Sequence, residues 1–217
     1  MNLLVTGCSG FIGFHLTKKL LEKKNNIIYG IDNLNSYYDL KLKKDRLKIL
    51  KNYKNFKFSK EDITNKKSLK KIFQKYKFKI VINLAAQAGV RYSIDNPNTY
   101  FSSNVVGFYN ILDLCQKFKI NHLLYASTSS VYGSANSFPL NENMNTDKPL
   151  SFYSATKKTN EVMAYSYSSI YKLRTTGLRF FTVYGPYGRP DMSLFKFVKN
   201  ILLNRPIKVF NKGSFRL

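Results

Sequence analysis

The sequence predicts an α/β fold in which a parallel β-sheet carries helices on both faces. Three observations predict it. Short β-branched runs alternate with longer helical patterns, the first such run leads directly into a glycine-rich turn, and the 217-residue chain is 44% hydrophobic, enough for a large core. Strands that alternate with helices of this length imply βαβ crossovers and therefore a doubly wound parallel sheet.

Six strands are predicted in chain order, at residues 2–6, 27–31, 56–59, 79–84, 122–126 and 175–180. Helices are predicted between them at 11–23, 40–50, 66–76, 101–118 and 151–171. The first helix shows the reason, since apolar Phe11, Ile12, Leu16, Leu20 and Leu21 recur along it. Beyond a turn-rich segment at 134–150 and the sixth strand, the pattern is less regular. It gives a loop at 185–191, a short helix near 194–203 and a strand-like run from 207.

The formal charge is strongly positive, with 36 Lys+Arg against 12 Asp+Glu. Fifteen of the 29 lysines lie between residues 41 and 79, interleaved with Asn, and the chain has only seven arginines. Base readout and bidentate phosphate recognition favour Arg. We therefore expect a solvated basic surface and no nucleic-acid partner.

Several features bear on location. Cys8 and Cys115 cannot form the disulfide framework of a small secreted protein, and the start MNLLVTG lacks the regions of a signal peptide. No stretch approaches the ~20 apolar residues of a membrane span. We expect a cytoplasmic protein without a membrane partner.

His15 and His122 have no Cys or acid at ligand spacing, so no metal site is expected.

The turn after the first strand, Gly7-Cys8-Ser9-Gly10-Phe11-Ile12-Gly13, has the glycine spacing of a dinucleotide-binding loop. The first glycine allows a sharp turn, the second a close approach of backbone to pyrophosphate, and the third close packing of helix on strand. Asp32 ends the second strand, where a carboxylate accepts hydrogen bonds from a ribose and disfavours a 2′-phosphate. The alternative is that Asp32 only caps a turn, and Asp62 at the end of the third strand has the same alternative. The pattern predicts a Rossmann-type fold that binds NAD rather than NADP.

Tyr153 and Lys157 lie four residues apart near the start of a predicted helix, so both face the same side. A free tyrosine has a pKa of ~10, and a neighbouring ammonium together with the positive nicotinamide of NAD is expected to lower it so that the phenolate acts as a base. The spacing alone is common, and a surface pair is the alternative. The hydroxyl-rich segment Ser127-Thr128-Ser129-Ser130 follows the fifth strand, where open α/β sheets hold their ligands. A serine-rich turn is the alternative there.

Five segments together carry a specific resemblance: the glycine loop, NLAAQAGVRYS at 83–93, STSSVYG at 127–133, SFYSATKK at 151–158 and LRFFTVYGPYGRPDM at 178–192. They resemble the extended short-chain dehydrogenase/reductase superfamily and its NAD-dependent epimerase/dehydratase family. Within it they are most similar to the UDP-glucuronate 4-epimerases of surface polysaccharide precursor synthesis.

The resemblance implies roles for matching positions. By this resemblance Tyr153 is the base, Lys157 is expected to hold the nicotinamide ribose, and Thr128 is expected to form a hydrogen bond with the sugar 4-hydroxyl. The implied cofactor contacts are Gly7, Gly10, Phe11, Ile12, Gly13, Asp32, Asn33, Asp62, Ile63, Leu84, Ala85, Ala86, Gln87 and Asn104, with Tyr153 and Lys157. The implied substrate contacts are Ser129, Ser130, Thr182 and Arg189 around the sugar carboxylate, and Arg91 and Ser93 towards the diphosphate or nicotinamide.

The resemblance also implies a reaction. Dehydratases similar to this chain carry Asp-Glu after the catalytic threonine, whereas Ser129 and Ser130 stand here. Two hydroxyls donate to a uronate carboxylate without repelling it, which favours epimerisation over elimination. The implied reaction interconverts UDP-glucuronate and UDP-galacturonate through a transient 4-keto sugar. An epimerase of neutral UDP-hexoses such as UDP-glucose is the alternative within enzymes.

The end of the chain leads to a further expectation. Members of the family continue well beyond IKVFNKGSFRL, so we expect a C-terminally truncated chain. Residues 1–180 form the expected NAD-binding domain with the catalytic residues, and 181–217 begin an incomplete substrate-binding domain. A second hypothesis follows, a non-catalytic NAD-binding module. The family also implies a homodimer through a four-helix bundle, formed by residues 98–118 and 151–171 of each subunit.

Overall fold

The computed structural model describes residues 1–135 and 137–207. Six strands form its sheet: β1 (Asn2–Thr6), β2 (Ile27–Asp32), β3 (Phe56–Lys60), β4 (Ile80–Asn83), β5 (His122–Thr128) and β6 (Thr175–Phe180). Their order is β3-β2-β1-β4-β5-β6, and every neighbouring pair is parallel. The predicted doubly wound parallel sheet is confirmed. The order reverses between β1 and β4, which is where such sheets open a ligand crevice at the carboxyl ends of their strands.

Helices connect the strands on both faces. The α-helices are α1 (Phe11–Leu21), α2 (Leu40–Lys51), α3 (Lys66–Tyr76), α4 (Tyr92–Asp95), α5 (Pro97–Tyr100), α6 (Gly107–Lys117), α7 (Phe152–Tyr171) and α8 (Ser193–Leu202). A π-helix spans Phe101–Val106, and a 3₁₀-helix spans Ser129–Tyr132. The predicted run from residue 207 lies, apart from Ile207 itself, outside the described residues.

Some predicted boundaries were wrong, each for a local reason. Helix α1 ends two residues early, where the Asn26 side chain donates to the carbonyl of Leu20. Strand β5 runs two residues further than predicted because Ser127 and Thr128 pair with β6. The helix predicted at 101–118 begins as a π-helix, a form that occurs mostly as a single turn and frequently at functional sites.

Two apolar clusters hold the layers together, one on each face of the sheet. One joins the sheet to α3, α6 and α7, through Leu69, Phe73, Phe108, Ile111, Leu123 and Ala164 among others. The other joins it to α1 and α2, through Leu3, Val5, Phe14, Ile28 and Leu50. The crossovers are therefore held on both faces, and the carboxyl ends of the strands are fixed relative to one another.

Helix α8 has no buried residue. Its exposed apolar side chains are Leu194, Phe195, Phe197, Val198, Ile201 and Leu202. The division at residue 180 stays a prediction. Among the helices of residues 1–135 and 137–207, none combines the length and apolar character needed to cross a membrane.

Candidate active site

The glycine loop between β1 and α1 packs its backbone directly on neighbouring backbone. Gly7 has a φ of +70°, and a Cβ there would lie 2.7 Å from the Ala85 nitrogen. A Cβ on Gly13 would lie only 2.0 Å from the Gly7 carbonyl oxygen. The loop is closed by hydrogen bonds from Gly7 N to Ile31 O at 2.8 Å and from Gly10 N to Gly7 O at 3.0 Å. Side chains are thus excluded from these two positions by sterics, as the glycine spacing predicted.

The amino end of α1 fits a phosphate. Its N-cap, Gly10, is extended and caps no N–H with a side chain, and no acidic residue lies in the first turn. The first N–H groups of a helix lack intrahelical acceptors and lie at the positive end of the dipole. Phe11, Ile12 and Gly13 are therefore placed to donate backbone hydrogen bonds to a dinucleotide pyrophosphate.

Asp32 lies at the end of β2, buried beside this loop. Its carboxylate accepts hydrogen bonds from Ser9 N at 3.0 Å and Leu34 N at 2.8 Å. Asp32 thus supports the loop and its own turn, and each carboxylate oxygen retains acceptor capacity for a ribose hydroxyl. The next acid, Asp62, accepts from Asn33 Nδ2 at 2.8 Å, which brings together two residues predicted to contact the cofactor. The Thr64 N–H and hydroxyl also donate to Asp62.

The segment after β4 faces the loop from the other side of the crevice. Ala85 N donates to Thr6 Oγ1 at 3.0 Å. Asn104, in the π-helix, accepts from Gln87 N at 2.8 Å and donates to Gln87 O at 3.0 Å. The Gln87 Nε2 is buried and has no hydrogen-bond partner among the described residues. A buried donor without a partner and a loop whose glycines leave no room for a Cβ at positions 7 and 13 both fit a dinucleotide that runs from Asp32 towards α7.

Tyr153 and Lys157 lie in the first turns of α7. Ser151 is the N-cap of this helix and forms a capping box with Ser154. The hydroxyl of Thr128 at the end of β5 interacts with the Tyr153 phenol. Thr128 also accepts from Ser130 N at 3.2 Å, which begins the 3₁₀-helix. The predicted trio of Thr128, Tyr153 and Lys157 is therefore assembled from two elements that are distant in sequence.

Burial dominates the electrostatics of Tyr153 among the described residues. Burial raises its pKa, while the Thr128 hydroxyl and the Arg189 charge oppose that shift without reversing it. Among the described residues desolvation is the larger effect, and the lowering of the phenol pKa expected from Lys157 and the nicotinamide together stays a prediction. Lys157 is itself buried, and burial lowers its pKa to about 8.

The predicted substrate contacts divide into two groups. Ser129 and Ser130 begin the 3₁₀-helix beside Thr128, and the charge of Arg189 acts on Tyr153, so these three lie at the site. The Arg189 guanidinium also forms a bidentate pair with Asp191, at 3.0 and 2.5 Å. Thr182 is exposed next to β6, and the buried Ser93 donates to Val90 O within the segment that also carries Arg91. Their contacts with substrate stay predictions.

Arg46 on α2 belongs to the site although no sequence pattern predicted it. It is fully buried, and it donates through Nη1 to Ser9 O at 2.9 Å and through Nη2 to Tyr187 O at 2.6 Å. Arg46 therefore links the glycine loop to the loop that carries Arg189. The one signal was that it is the only arginine within a lysine-rich run.

Two further questions concern the cysteine in the glycine loop and the binding of a metal ion. Cys8, inside the glycine loop, is buried, and burial raises the pKa of its thiol, so Cys8 is a core residue. Across residues 1–135 and 137–207 no group of three His, Cys, Asp or Glu side chains is arranged to hold a metal ion.

A parallel sheet of this order, a glycine loop before α1 and the Tyr153–Lys157 pair define a dinucleotide-binding protein of the short-chain dehydrogenase/reductase class. Residues 3–216 match the model of the NAD dependent epimerase/dehydratase family, and the chain belongs to that family.

Individual relatives agree with this assignment. The chain is 54% identical over 214 residues to Protein CapI of Staphylococcus aureus, covering 99% of this chain and 64% of that protein. It is 49% identical over 211 residues to a UDP-glucuronate 4-epimerase of Thermodesulfobacterium geofontis, covering 97% and 65%. The crystal structure of a Bacillus cereus UDP-glucuronic acid 4-epimerase with UDP-glucuronic acid and NAD superimposes with a TM-score of 0.92 at 35% identity, covering 99% and 67%. The chain thus spans about two thirds of the length of these relatives.

Proposed function

We propose that the protein is an NAD-dependent UDP-glucuronate 4-epimerase that interconverts UDP-glucuronate and UDP-galacturonate. The observation that carries the proposal is the composition of the site around Tyr153. Thr128 contacts the phenol, the positive charge of Arg189 acts on it, and the neighbouring Ser129 and Ser130 carry no charge. Neutral hydroxyl donors beside a guanidinium suit a sugar that bears a carboxylate, which Arg189 would bind in place of its pairing with Asp191. The similarity to UDP-glucuronate 4-epimerases supports the same substrate.

The chain's own residues have distinct tasks in this proposal. Gly7, Gly10 and Gly13 leave room for the cofactor, and the amino end of α1 binds its phosphates. NAD, when bound, supplies the chemistry of accepting and returning a hydride. Tyr153 takes the proton of the sugar 4-hydroxyl and returns it, with Thr128 orienting that hydroxyl. Because the phenol pKa is raised by burial, the substrate-bound and cofactor-bound site must supply positive charge. Arg189 is the cation that acts on the phenol, and Lys157 lies one helical turn from it on α7.

Purified protein saturated with NAD tests the proposal directly. UDP-glucuronate is added, and formation of UDP-galacturonate is followed by chromatography. Tyr153→Phe is expected to reduce turnover at least ~100-fold while NAD affinity, measured by calorimetry, changes little. A wild-type protein that binds NAD and forms no UDP-galacturonate would refute the enzymatic proposal.

That outcome would support the second candidate, a non-catalytic NAD-binding module. The observation that favours it is the exposed apolar surface of α8, which has no buried residue. In the enzymatic proposal, residues 1–180 bind the cofactor and residues 181–217 begin the substrate-binding domain.

The choice of sugar has its own test. Arg189→Met is expected to lower kcat/KM for UDP-glucuronate at least ~10-fold more than for UDP-glucose, because only the uronate carries the carboxylate. Arg174→Met is the matched control, since Arg174 is an exposed arginine at the opposite end of β6. Equal losses on both substrates would favour the neutral UDP-hexose alternative.

The assembly and setting are also part of the proposal. Phe101, Val106 and Tyr109 are exposed around α6, and Val162 and Tyr165 are exposed on α7. Such apolar surface on two adjacent helices supports a homodimer through a four-helix bundle. Sedimentation equilibrium tests it, with Tyr165→Glu expected to yield monomers. We propose a cytoplasmic role in supplying precursors for surface polysaccharide.

A further inference from the structure

We propose that Glu161 is a positioning residue for Lys157 and Thr128. It supplies the negative charge that keeps the buried ammonium of Lys157 protonated, and it ties α7 to the end of β5. The proposal concerns the site of the proposed epimerase and rests on that function for its catalytic meaning. The charge relation between Glu161 and Lys157 exists in the chain whether or not it turns over substrate.

The geometry begins with helix spacing. Glu161 follows Lys157 by four residues on α7, so the two side chains share a face. Its Oε1 accepts from the Ser127 hydroxyl at 2.5 Å and from Arg179 Nε at 2.9 Å, and its Oε2 accepts from Arg179 Nη2 at 2.9 Å. Ser127 immediately precedes Thr128 on β5, and Arg179 lies on β6. One carboxylate therefore connects the helix of the Tyr–Lys pair to the strand of the threonine.

The charge balance around Lys157 depends on this carboxylate. Lys157 is 2% exposed. Burial disfavours its ammonium, and among the described residues Glu161 is the charged group that opposes this effect. Glu161 is held ionised, because hydrogen bonds from Arg179 and Ser127 lower its pKa against the effect of burial. The other titratable or charged groups that face this cluster are Arg179 on β6, Tyr125 on β5, Tyr132 in the 3₁₀-helix, and Tyr153 and Lys158 on α7.

A purely structural role explains this cluster less well. Replacing a buried ion pair by apolar residues is often neutral or stabilising, so stability alone gives little reason to bury Glu161 and Arg179 at 15% and 19% side-chain exposure. The exposed pair Lys19–Glu22, at 79% and 48%, shows the more usual surface form. An anion one helical turn from a buried ammonium does have a consequence for chemistry, since it sets the pH at which that ammonium loses its proton.

The test measures the titration of Lys157 directly. Protein with ¹³C-labelled lysine ε-carbons is followed by NMR from pH 6 to 11, and the Lys157 signal is assigned as the one missing in Lys157→Met. In Glu161→Gln, which retains the side-chain shape and removes the charge, the midpoint is expected to fall by about one pH unit or more. Glu22→Gln is the matched control, because it removes one exposed charge at the end of α1 and should leave the midpoint unchanged.

A second control separates charge from architecture. Ser127→Ala removes the hydrogen bond to Glu161 but keeps the carboxylate and its arginine. We expect the Lys157 midpoint to stay within ~0.3 units of wild type there. Equal shifts in Ser127→Ala and Glu161→Gln would overturn the proposal in favour of a structural role. So would an unchanged midpoint in Glu161→Gln.

Glu161→Gln leaves Arg179 largely buried without its anionic partner, which is expected to destabilise the fold. The double variant Glu161→Gln, Arg179→Gln replaces the ion pair by two amides and serves the same purpose, with a lowered Lys157 midpoint expected. NAD affinity provides an independent readout. It is expected to weaken at least ~3-fold between pH 6.5 and 8.5 in the charge-removing variant and less in wild type. Neither readout requires turnover, so failure of the epimerase assay leaves this test decisive.

Discussion

Asn104 provides the sharpest test of how the crevice is built, because its side chain makes three hydrogen bonds in the interior. It accepts from Gln87 N at 2.8 Å and donates to Gln87 O and to Thr156 Oγ1, each at 3.0 Å. Asn104→Ala removes all three bonds. At about 1 kcal/mol for each bond, the expected loss in the free energy of unfolding is about 3 kcal/mol.

The same change should loosen the segment that faces the glycine loop. We therefore expect NAD to bind at least ~10-fold more weakly to Asn104→Ala, as measured by calorimetry, with the loss of stability measured by urea unfolding. Asn55→Ala is the matched control. The Asn55 side chain donates two bonds, to Leu21 O and Asn26 O, near the amino ends of β2 and β3, far from the crevice. It should lose about 2 kcal/mol of stability and no NAD affinity.

The reasoning fails if Asn104→Ala loses less than about 1 kcal/mol, because buried partners left unsatisfied cost at least that much. It also fails if the two variants lose NAD affinity equally. Equal losses would mean that the affinity follows global stability and not the geometry of the segment after β4.

Three further predictions concern sterics and charge. Gly13→Ala places a Cβ 2.0 Å from Gly7 O. Its free energy of unfolding in urea should fall by about 1–3 kcal/mol, and NAD binding should be lost. Normal NAD binding would contradict the packing of the loop. Lys157→Met should be at least as stable as wild type at pH 7, because the folded state lowers the Lys157 pKa from 10.5 to about 8. Between pH 8 and 10.5 the unfolded chain holds a proton on Lys157 that the folded chain has lost, so the free energy of unfolding of wild type rises with pH. Relative to the variant it should increase by up to about 3 kcal/mol over this range. A constant difference in unfolding free energy would refute this. Burial opposes ionisation of Asp113, but Lys66 and Lys117 outweigh it and lower the Asp113 pKa below 3.8. The ionised carboxylate therefore stabilises the fold above pH 3.8, and this stabilisation is lost as the pH falls through the lowered pKa of the folded state. Asp113→Asn should therefore lower Tm by about 2 °C at pH 7 and by less at pH 3, and equal losses at both pH values would argue against the ion pairs.

Local signals in the sequence were sufficient for the fold class. Apolar periodicity and the alternation of short and long patterns predicted all six strands and the main helices, because both reflect which face of an element is buried. The glycine loop, Asp32 and the Tyr153–Lys157 pair were also predictable, since each depends on spacing within a few residues of one element. The boundaries were less accurate because strand pairing and side-chain caps decide them, as with the extension of β5 along β6 and the bond from Asn26 at the end of α1.

Only the tertiary structure decided which distant residues act on each other. Arg46 donates a hydrogen bond to the carbonyl of Tyr187, 141 positions along the chain, in the loop that carries Arg189. No pattern along the sequence predicts that contact. The raised pKa of Tyr153 likewise follows from burial, which depends on all the elements packed around α7 and not on the four-residue spacing to Lys157. The sequence by itself determined the scaffold and the identity of the reactive groups. Because desolvation and charge act through space, only the fold determined their protonation and placed Glu161 between α7, β5 and β6.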